Sequence, residues 1–230
     1  MLPGIQGGGD ILFEAALALG DAIPVITVSA PDIEDVTEMS ASIERFMNAI
    51  GVDRANVVGS SLGGYLAQSV ALRSPEMVDQ LVIANGFIDV STFVQRLPPA
   101  ATVQNADAAR LVEQNLRPLF AMPAADAGQV RLKAVVKALV GPMQTLENYK
   151  SRLLLVMGAY PLAAPSIPAE RVMIIDDDHD PMLPPDMRDA VRARFRRSEQ
   201  HAIDGGGHLP AIQRPAQFAD LLRRRLVRDA

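Results

Sequence analysis

Short, mostly apolar segments alternate along the chain with longer segments whose apolar residues recur at helical spacing. The short segments predict strands, because runs of about four to eight such residues between glycine, proline and polar residues are typical of buried strands. They cover residues 24–28, 55–58, 80–84, 171–175 and 200–203. One helical segment carries Met39, Ile43, Met47 and Ile50 on one face and ends at Gly51. This alternation predicts an α/β fold with a mostly parallel sheet flanked by helices.

The pattern changes between residues 91 and 168. Helices are predicted at 106–120, 130–140 and 145–157, separated by proline or glycine, and the segment contains no convincing strand. We expect a helical cap inserted into a core formed by residues 1–90 and 169–230. Ligand sites in such sheets lie beyond the carboxyl ends of the strands, where a cap would cover them. The alternative is a helical layer without a role at the site.

A serine follows the second predicted strand in a glycine-flanked turn. The turn fits the pattern G-x-S-x-G and consists of Gly59, Ser60, Ser61, Leu62 and Gly63. A strand before the pattern and a helix after it are what a nucleophile elbow requires. A Cβ at either glycine would collide with the neighbouring backbone, and the helix N-terminus favours negative charge beside the serine. The alternative is an ordinary tight turn between a strand and a helix.

A nucleophilic serine needs a general base, and histidine is the usual one. The chain has three histidines. His201 lies within the last predicted strand, and His179 lies in an acidic loop. His208 follows three glycines after the last strand, at the edge of the sheet to which Ser61 also points, so we predict that His208 is the base. A triad also needs a carboxylate that orients the histidine ring, and the acidic loop after the fourth strand contains Asp176, Asp177, Asp178 and Asp180.

The amino-acid composition limits the size of the fold and the kinds of partner and cofactor that we expect. With 230 residues and 49% hydrophobic content, the chain can bury one substantial core. A net charge of -5 argues against a nucleic-acid partner, and no apolar run approaches the roughly 20 residues of a membrane span. The absence of cysteine excludes disulfides and thiol catalysis and fits a cytoplasmic protein. We expect no metal and no organic cofactor, because the acidic loop lacks a second set of ligands at metal-binding spacing.

Together these motifs resemble the α/β-hydrolase family over nearly the whole chain. The Ser61 turn, the acidic loop and the loop Gly207-His208-Leu209-Pro210 occur in the family's order of nucleophile, acid and base. The resemblance implies that Ser61, Asp180 and His208 form a catalytic triad. Asp180 is preferred because the Asp-Pro-Met-Leu-Pro segment that it opens looks like the family's acid-bearing turn, and Asp178 is the second choice.

The same resemblance implies an oxyanion hole formed by the backbone N–H groups of Leu62 and Ile5. Pro3-Gly4 stands where the family has a histidine-glycine pair. The family's third strand would precede Leu2, so we expect a sheet whose N-terminal part is truncated and a chain of marginal stability. Residues 59–93 also look like the maspardin branch, whose members are regarded as protein-binding and whose pattern lacks the histidine found here at position 208.

The resulting prediction is a serine hydrolase, most plausibly a carboxylesterase. It would act on a small to medium, uncharged acyl ester through the triad and an acyl-enzyme. The alternative is a maspardin-like binding module that does not catalyse. A homodimer or a protein partner is a further expectation.

Overall fold

Four parallel strands form the sheet at the centre of the structure, a computed structural model that describes residues 1–95 and 97–227. Position 96 of the predicted insertion lies outside this range. The strands are β1 (Ala55–Ser60), β2 (Val78–Ala84), β3 (Val172–Asp176) and β4 (Glu199–Ala202). They lie side by side in chain order. Four of the five predicted strands and the parallel sheet are therefore confirmed.

Helices cover both faces of the sheet. In chain order they are α1 (Phe13–Gly20), α2 (Val36–Ala49), α3 (Leu62–Arg73), α4 (Ser91–Val94), α5 (Ala100–Gln104), α6 (Ala108–Ala121), α7 (Ala127–Leu139), α8 (Leu146–Met157), α9 (Pro185–Arg194), α10 (Pro210–Gln213) and α11 (Pro215–Leu226). Short 3-10 turns cover Gly9–Leu12, Pro75–Met77 and Ala169–Arg171.

Alternate strand residues point to opposite faces, so β1, β2 and β3 each contribute to two separate cores. On one face, Leu81 and Ile83 of β2 pack with residues of α2, α3 and α9. On the other face, Val82 packs with α1 and with Phe218 and Leu222 of α11. Burial on both faces explains why these strands are apolar without alternation in the sequence.

The prediction of a strand at 24–28 is wrong. Among the described residues, this segment's backbone hydrogen bonds to a neighbouring segment are those with Met1: the Met1 ammonium group donates to the Ile26 carbonyl at 2.6 Å, and the Met1 carbonyl accepts from Val28 N–H at 3.1 Å. Leu2 then forms a single parallel bridge to Gly59 of β1. A strand needs a ladder several residues long, and here one residue supplies the neighbouring backbone groups.

The chain between β2 and β3 is helical, as predicted. Helices α6, α7 and α8 are capped by the residues that precede them, Asp107, Asp126 and Thr145, whose side chains accept hydrogen bonds from the N–H group three residues further on. Among the described residues this segment contains no strand, apart from one isolated bridge between Val140 and Gln144. The division into a core and a cap stays a prediction. No helix in the described part of the chain has the length and apolar character that crossing a membrane requires.

Candidate active site

Ser61 occupies a strained turn between β1 and α3. Its backbone has φ 55° and ψ −119°, a conformation that residues with a side chain rarely adopt. Its N–H donates to the Ala84 carbonyl of β2 at 2.8 Å. An added Cβ at Gly59 would overlap the backbone of Gly63, and one at Gly63 would overlap the Leu2 carbonyl. The glycine spacing seen in the sequence is therefore a steric requirement of this turn.

Ser61, His208 and Asp180 form one hydrogen-bonded chain. Ser61 Oγ lies 2.8 Å from His208 Nε2, and His208 Nδ1 lies 2.8 Å from Asp180 Oδ2. The serine and the acid are buried, whereas the histidine is partly accessible. The structure thus brings together the three residues predicted for the triad.

Asp180 is held by four hydrogen bonds. Oδ2 accepts from His208 and from the Asn85 side-chain amide at 2.6 Å, while Oδ1 accepts from the N–H groups of Met182 and Leu183 at 2.7 and 3.1 Å. Burial raises the pKa of this carboxyl, but the nearby His208 and these hydrogen bonds lower the pKa by more than burial raises it. The pKa therefore lies below the ordinary value. Asp180 is therefore held as the ion that can orient a histidine ring.

Asn85 is a site residue that the sequence analysis missed. It has φ 44°, and its amide donates both to Asp180 and to the Gly207 carbonyl at 3.1 Å. It thereby joins the acid loop to the histidine loop. The available signal was its position directly after a predicted strand, because polar residues at the carboxyl ends of parallel strands meet at one edge of the sheet.

The other candidate residues lie outside this chain of hydrogen bonds. Asp178, the second choice for the acid, is exposed and pairs with Arg192 at 2.7 Å. His201 lies on β4 and pairs with Glu199 at 2.6 Å. The His179 side chain is 86% exposed.

Three residues of this region could accept a metal ion. Ligand atoms of Asp177, His179 and Asp204 lie within 4.8 Å of one another. The Asp177 carboxylate already accepts hydrogen bonds from the N–H groups of His179 and Gly207, at 2.8 and 2.7 Å. It therefore has a structural role in fixing the loop that carries His208.

The loop Pro3–Gly7 lies against Ser61. A Cβ built on Gly4 would stand 3.1 Å from Ser61 Cβ, so the backbone passes close to the nucleophile. Within the described residues no hydrogen bond is recorded from the N–H groups of Ile5 and Leu62, the predicted oxyanion donors.

The helical segment holds this loop through two side chains that the sequence analysis also missed. Gln144 donates to the Ile5 carbonyl and accepts from Gly7 N–H, both at 2.7 Å. Arg152 of α8 donates to the Gly7 carbonyl at 2.5 Å. A buried glutamine and a buried arginine give no signal in a single sequence, because the residues they contact are more than 130 positions away.

Comparison with known proteins agrees with this geometry. A sequence model of the α/β-hydrolase fold matches residues 28–215. The chain belongs to the α/β-hydrolase family. A RutD protein of Cronobacter turicensis, for which a carbamate hydrolase activity has been suggested, is 26% identical over 234 residues, covering 96% of this chain and 88% of its own.

Maspardin of Danio rerio is 35% identical over 98 residues, which are 41% of this chain and 31% of maspardin. Among solved structures, a thermophilic esterase from Thermogutta terrifontis has a TM-score of 0.76 at 16% identity, with 98% of this chain and 89% of the esterase covered. The structural likeness confirms the fold, and the RutD relative supports the prediction of a hydrolase.

Proposed function

We propose that this protein is a serine hydrolase, specifically a carboxylesterase, in which Ser61 is the nucleophile, His208 the base and Asp180 the acid. The observation that carries the proposal is the chain of two 2.8 Å hydrogen bonds through His208, which starts at a serine on a strained turn. A base in hydrogen-bond reach of the nucleophile, and a carboxylate that orients the base, are the geometry that acyl transfer requires.

In the proposed reaction, His208 Nε2 takes the Ser61 proton while Oγ attacks the ester carbonyl. Asp180 accepts the Nδ1–H of the ring, keeps Nε2 free to act as the base, and stabilises the imidazolium that forms. The imidazolium then protonates the leaving alcohol, which gives an acyl-enzyme. His208 then deprotonates a water that attacks the acyl carbonyl, and the carboxylic acid is released as Ser61 Oγ leaves with the proton from His208. These steps use no metal and no cofactor.

The oxyanion would be bound by the N–H groups of Ile5 and Leu62. The support is that the Pro3–Gly7 loop lies against Ser61 and that Leu62 is the first residue of α3, where the positive end of the helix favours developing negative charge. We infer that Gln144 and Arg152 position this loop, so that the helical segment supports catalysis by holding the loop in place.

A small to medium, uncharged acyl ester is the proposed substrate. Ile5 follows Gly4, whose backbone lies against Ser61, and it packs against two apolar clusters of the helical segment, which include Leu111, Val112 and Leu153. An acyl group near Ile5 would therefore meet mostly apolar surroundings. We also propose a cytoplasmic location, because the sequence contains no cysteine.

The first test is labelling with a fluorophosphonate probe, followed by mass spectrometry of the modified peptide. We expect labelling at Ser61 that is lost in Ser61→Ala and in His208→Ala. Ser60→Ala and His201→Ala are matched controls, because each changes the same residue type outside the hydrogen-bonded chain, and both should keep the label. Labelling that survives His208→Ala, or no labelling of the folded protein, would contradict the proposal.

A binding module is the second candidate, favoured by the 35% identity to maspardin over 98 residues. In that case the chain would bind a protein partner or a second copy of itself, and Ser61→Ala and His208→Ala would not affect binding. Turnover of p-nitrophenyl esters that depends on both residues would decide for the hydrolase.

A further inference from the structure

A cavity of about 380 Å³ lies between α2, the segment 27–31 and the start of the chain. Small-molecule sites commonly have volumes of about 300 to 1,000 Å³. Much of the wall is apolar and includes Val28, Met39, Ile43, Phe46 and Leu66. Ser61, His208 and Asp180 are not among the described residues that line it, so this cavity is distinct from the candidate active site.

Arg152 of α8 lies in the wall of this cavity and is 1% exposed. Its one recorded hydrogen bond in the described part of the chain runs from Nη1 to the Gly7 carbonyl, and its Nε is buried without a partner. Among the described residues no carboxylate forms an ion pair with it. Arg192, by comparison, pairs with Asp176 and Asp178.

A buried guanidinium without a counter-charge is unfavourable, because burial removes the hydration of a group that cannot easily lose its proton. Burial lowers the pKa of Arg152 to about 10, which still leaves the side chain cationic at neutral pH. The hydrogen bond to Gly7 uses Nη1 and supplies no negative charge. A guanidinium presents its N–H groups in a planar arrangement that suits two parallel hydrogen bonds to a carboxylate.

We propose that this cavity binds a small organic carboxylate, whose charged group pairs with Arg152 and whose alkyl chain lies against the apolar wall. An alkyl carboxylate matches both features of the cavity, whereas an inorganic anion would leave the apolar wall in contact with water. The ligand would also lie beside Pro3, which lines the cavity, and would contact the arginine that holds Gly7. Its site thus adjoins the loop that we propose carries an oxyanion donor.

Calorimetric titration tests the proposal with a chain-length series of acetate, butyrate, hexanoate and octanoate. Hexanamide has the same chain without the charge, and sodium phosphate has charge without the chain. We expect hexanoate to bind at least about tenfold more tightly than hexanamide, and more tightly than phosphate and acetate. Equal affinity for hexanoate and hexanamide, tighter binding of phosphate, or no binding of any acid would overturn the proposal.

Arg152→Met should weaken hexanoate binding at least about tenfold. Arg131→Met is the matched control, because Arg131 is exposed and pairs with Glu14, and it should bind as the unchanged protein does. Ser42→Leu provides a second test if Arg152→Met does not fold, since Ser42 lines the cavity and its substitution leaves Arg152 and Gly7 in place. Hexanoate binding that is unchanged in Ser42→Leu would place the ligand elsewhere and refute the site. All readouts measure binding, so the result is independent of hydrolase activity.

Discussion

Gln144 offers a direct test of how the helical segment supports the candidate site. Gln144 is 3% exposed, and its side chain connects to the Pro3–Gly7 loop through two 2.7 Å hydrogen bonds. Gln144→Leu keeps a side chain of similar shape and removes both bonds. The Gly7 N–H group is buried and would lose its recorded partner, whereas the Ile5 carbonyl is only partly buried and can reach water more easily.

The expected cost in stability follows from the buried N–H group. Leaving such a donor unsatisfied costs about 1 to 3 kcal/mol. For a chain of this size, each kcal/mol lowers the melting temperature by about 2 to 4 °C. Gln144→Leu should therefore melt about 2 to 12 °C lower than the unchanged protein, as measured by differential scanning fluorimetry or circular dichroism.

The effect on catalysis should exceed what lost stability alone explains. If the loop shifts, the proposed oxyanion donor Ile5 N–H is displaced, and loss of one such donor lowers kcat by about 100-fold to 1,000-fold. We expect kcat for p-nitrophenyl butyrate to fall towards this range at 20 °C or below, with a smaller change in KM, because the donor acts mainly in the transition state.

Leu222→Ala is the matched control for stability. Leu222 is fully buried in the cluster formed by α1 and α11, and this substitution costs about 2 to 5 kcal/mol while leaving the hydrogen bonds of the Pro3–Gly7 loop in place. Its kcat should remain normal below its melting temperature. Equal kcat values for Gln144→Leu and Leu222→Ala would show that Gln144 only stabilises the fold and would refute the reasoning.

Three further predictions concern single residues. Asn85→Gly introduces a residue that tolerates φ 44° but deletes the amide that donates to Asp180. Because a hydrogen bond to a charged group contributes about 1.5 to 3 kcal/mol, kcat in the same ester assay should fall about tenfold or more. The pKa of Asp180 is lowered in the folded protein, so the ionised carboxylate stabilises the fold at neutral pH, and this stability is lost as the pH falls below about 4. In thermal melts, the melting temperature of Asp180→Asn should therefore fall less on acidification than that of the unchanged protein. An equal fall in both proteins would contradict this prediction. Gly63→Ala should prevent normal folding because its Cβ would overlap the Leu2 carbonyl, whereas Gly20→Ala, with no atom within 4 Å of the added Cβ, should melt at the same or a higher temperature.

Local patterns in the sequence were enough to predict the framework, Ser61 and His208, whereas Asp180 was preferred through the resemblance to the α/β-hydrolase family. Apolar strands alternating with helices were enough to predict the parallel sheet, because local patterns set which segments bury a face and with what period. The glycines around Ser61 identified the turn, since their requirement is steric and local. His208 followed from its place after the last strand, because the carboxyl ends of parallel strands share one edge.

Tertiary structure alone decided which side chains meet at that edge. The acidic loop offered several carboxylates, and only the folded loop directs Asp180 to His208 and Asp178 to Arg192. Residues 24–28 have the composition of a strand, but strand formation also needs a neighbouring ladder, which one residue cannot supply. Side chains such as Gln144 and Arg152 contact a loop more than 130 positions away, and such contacts depend on how the helices pack, which no local pattern records.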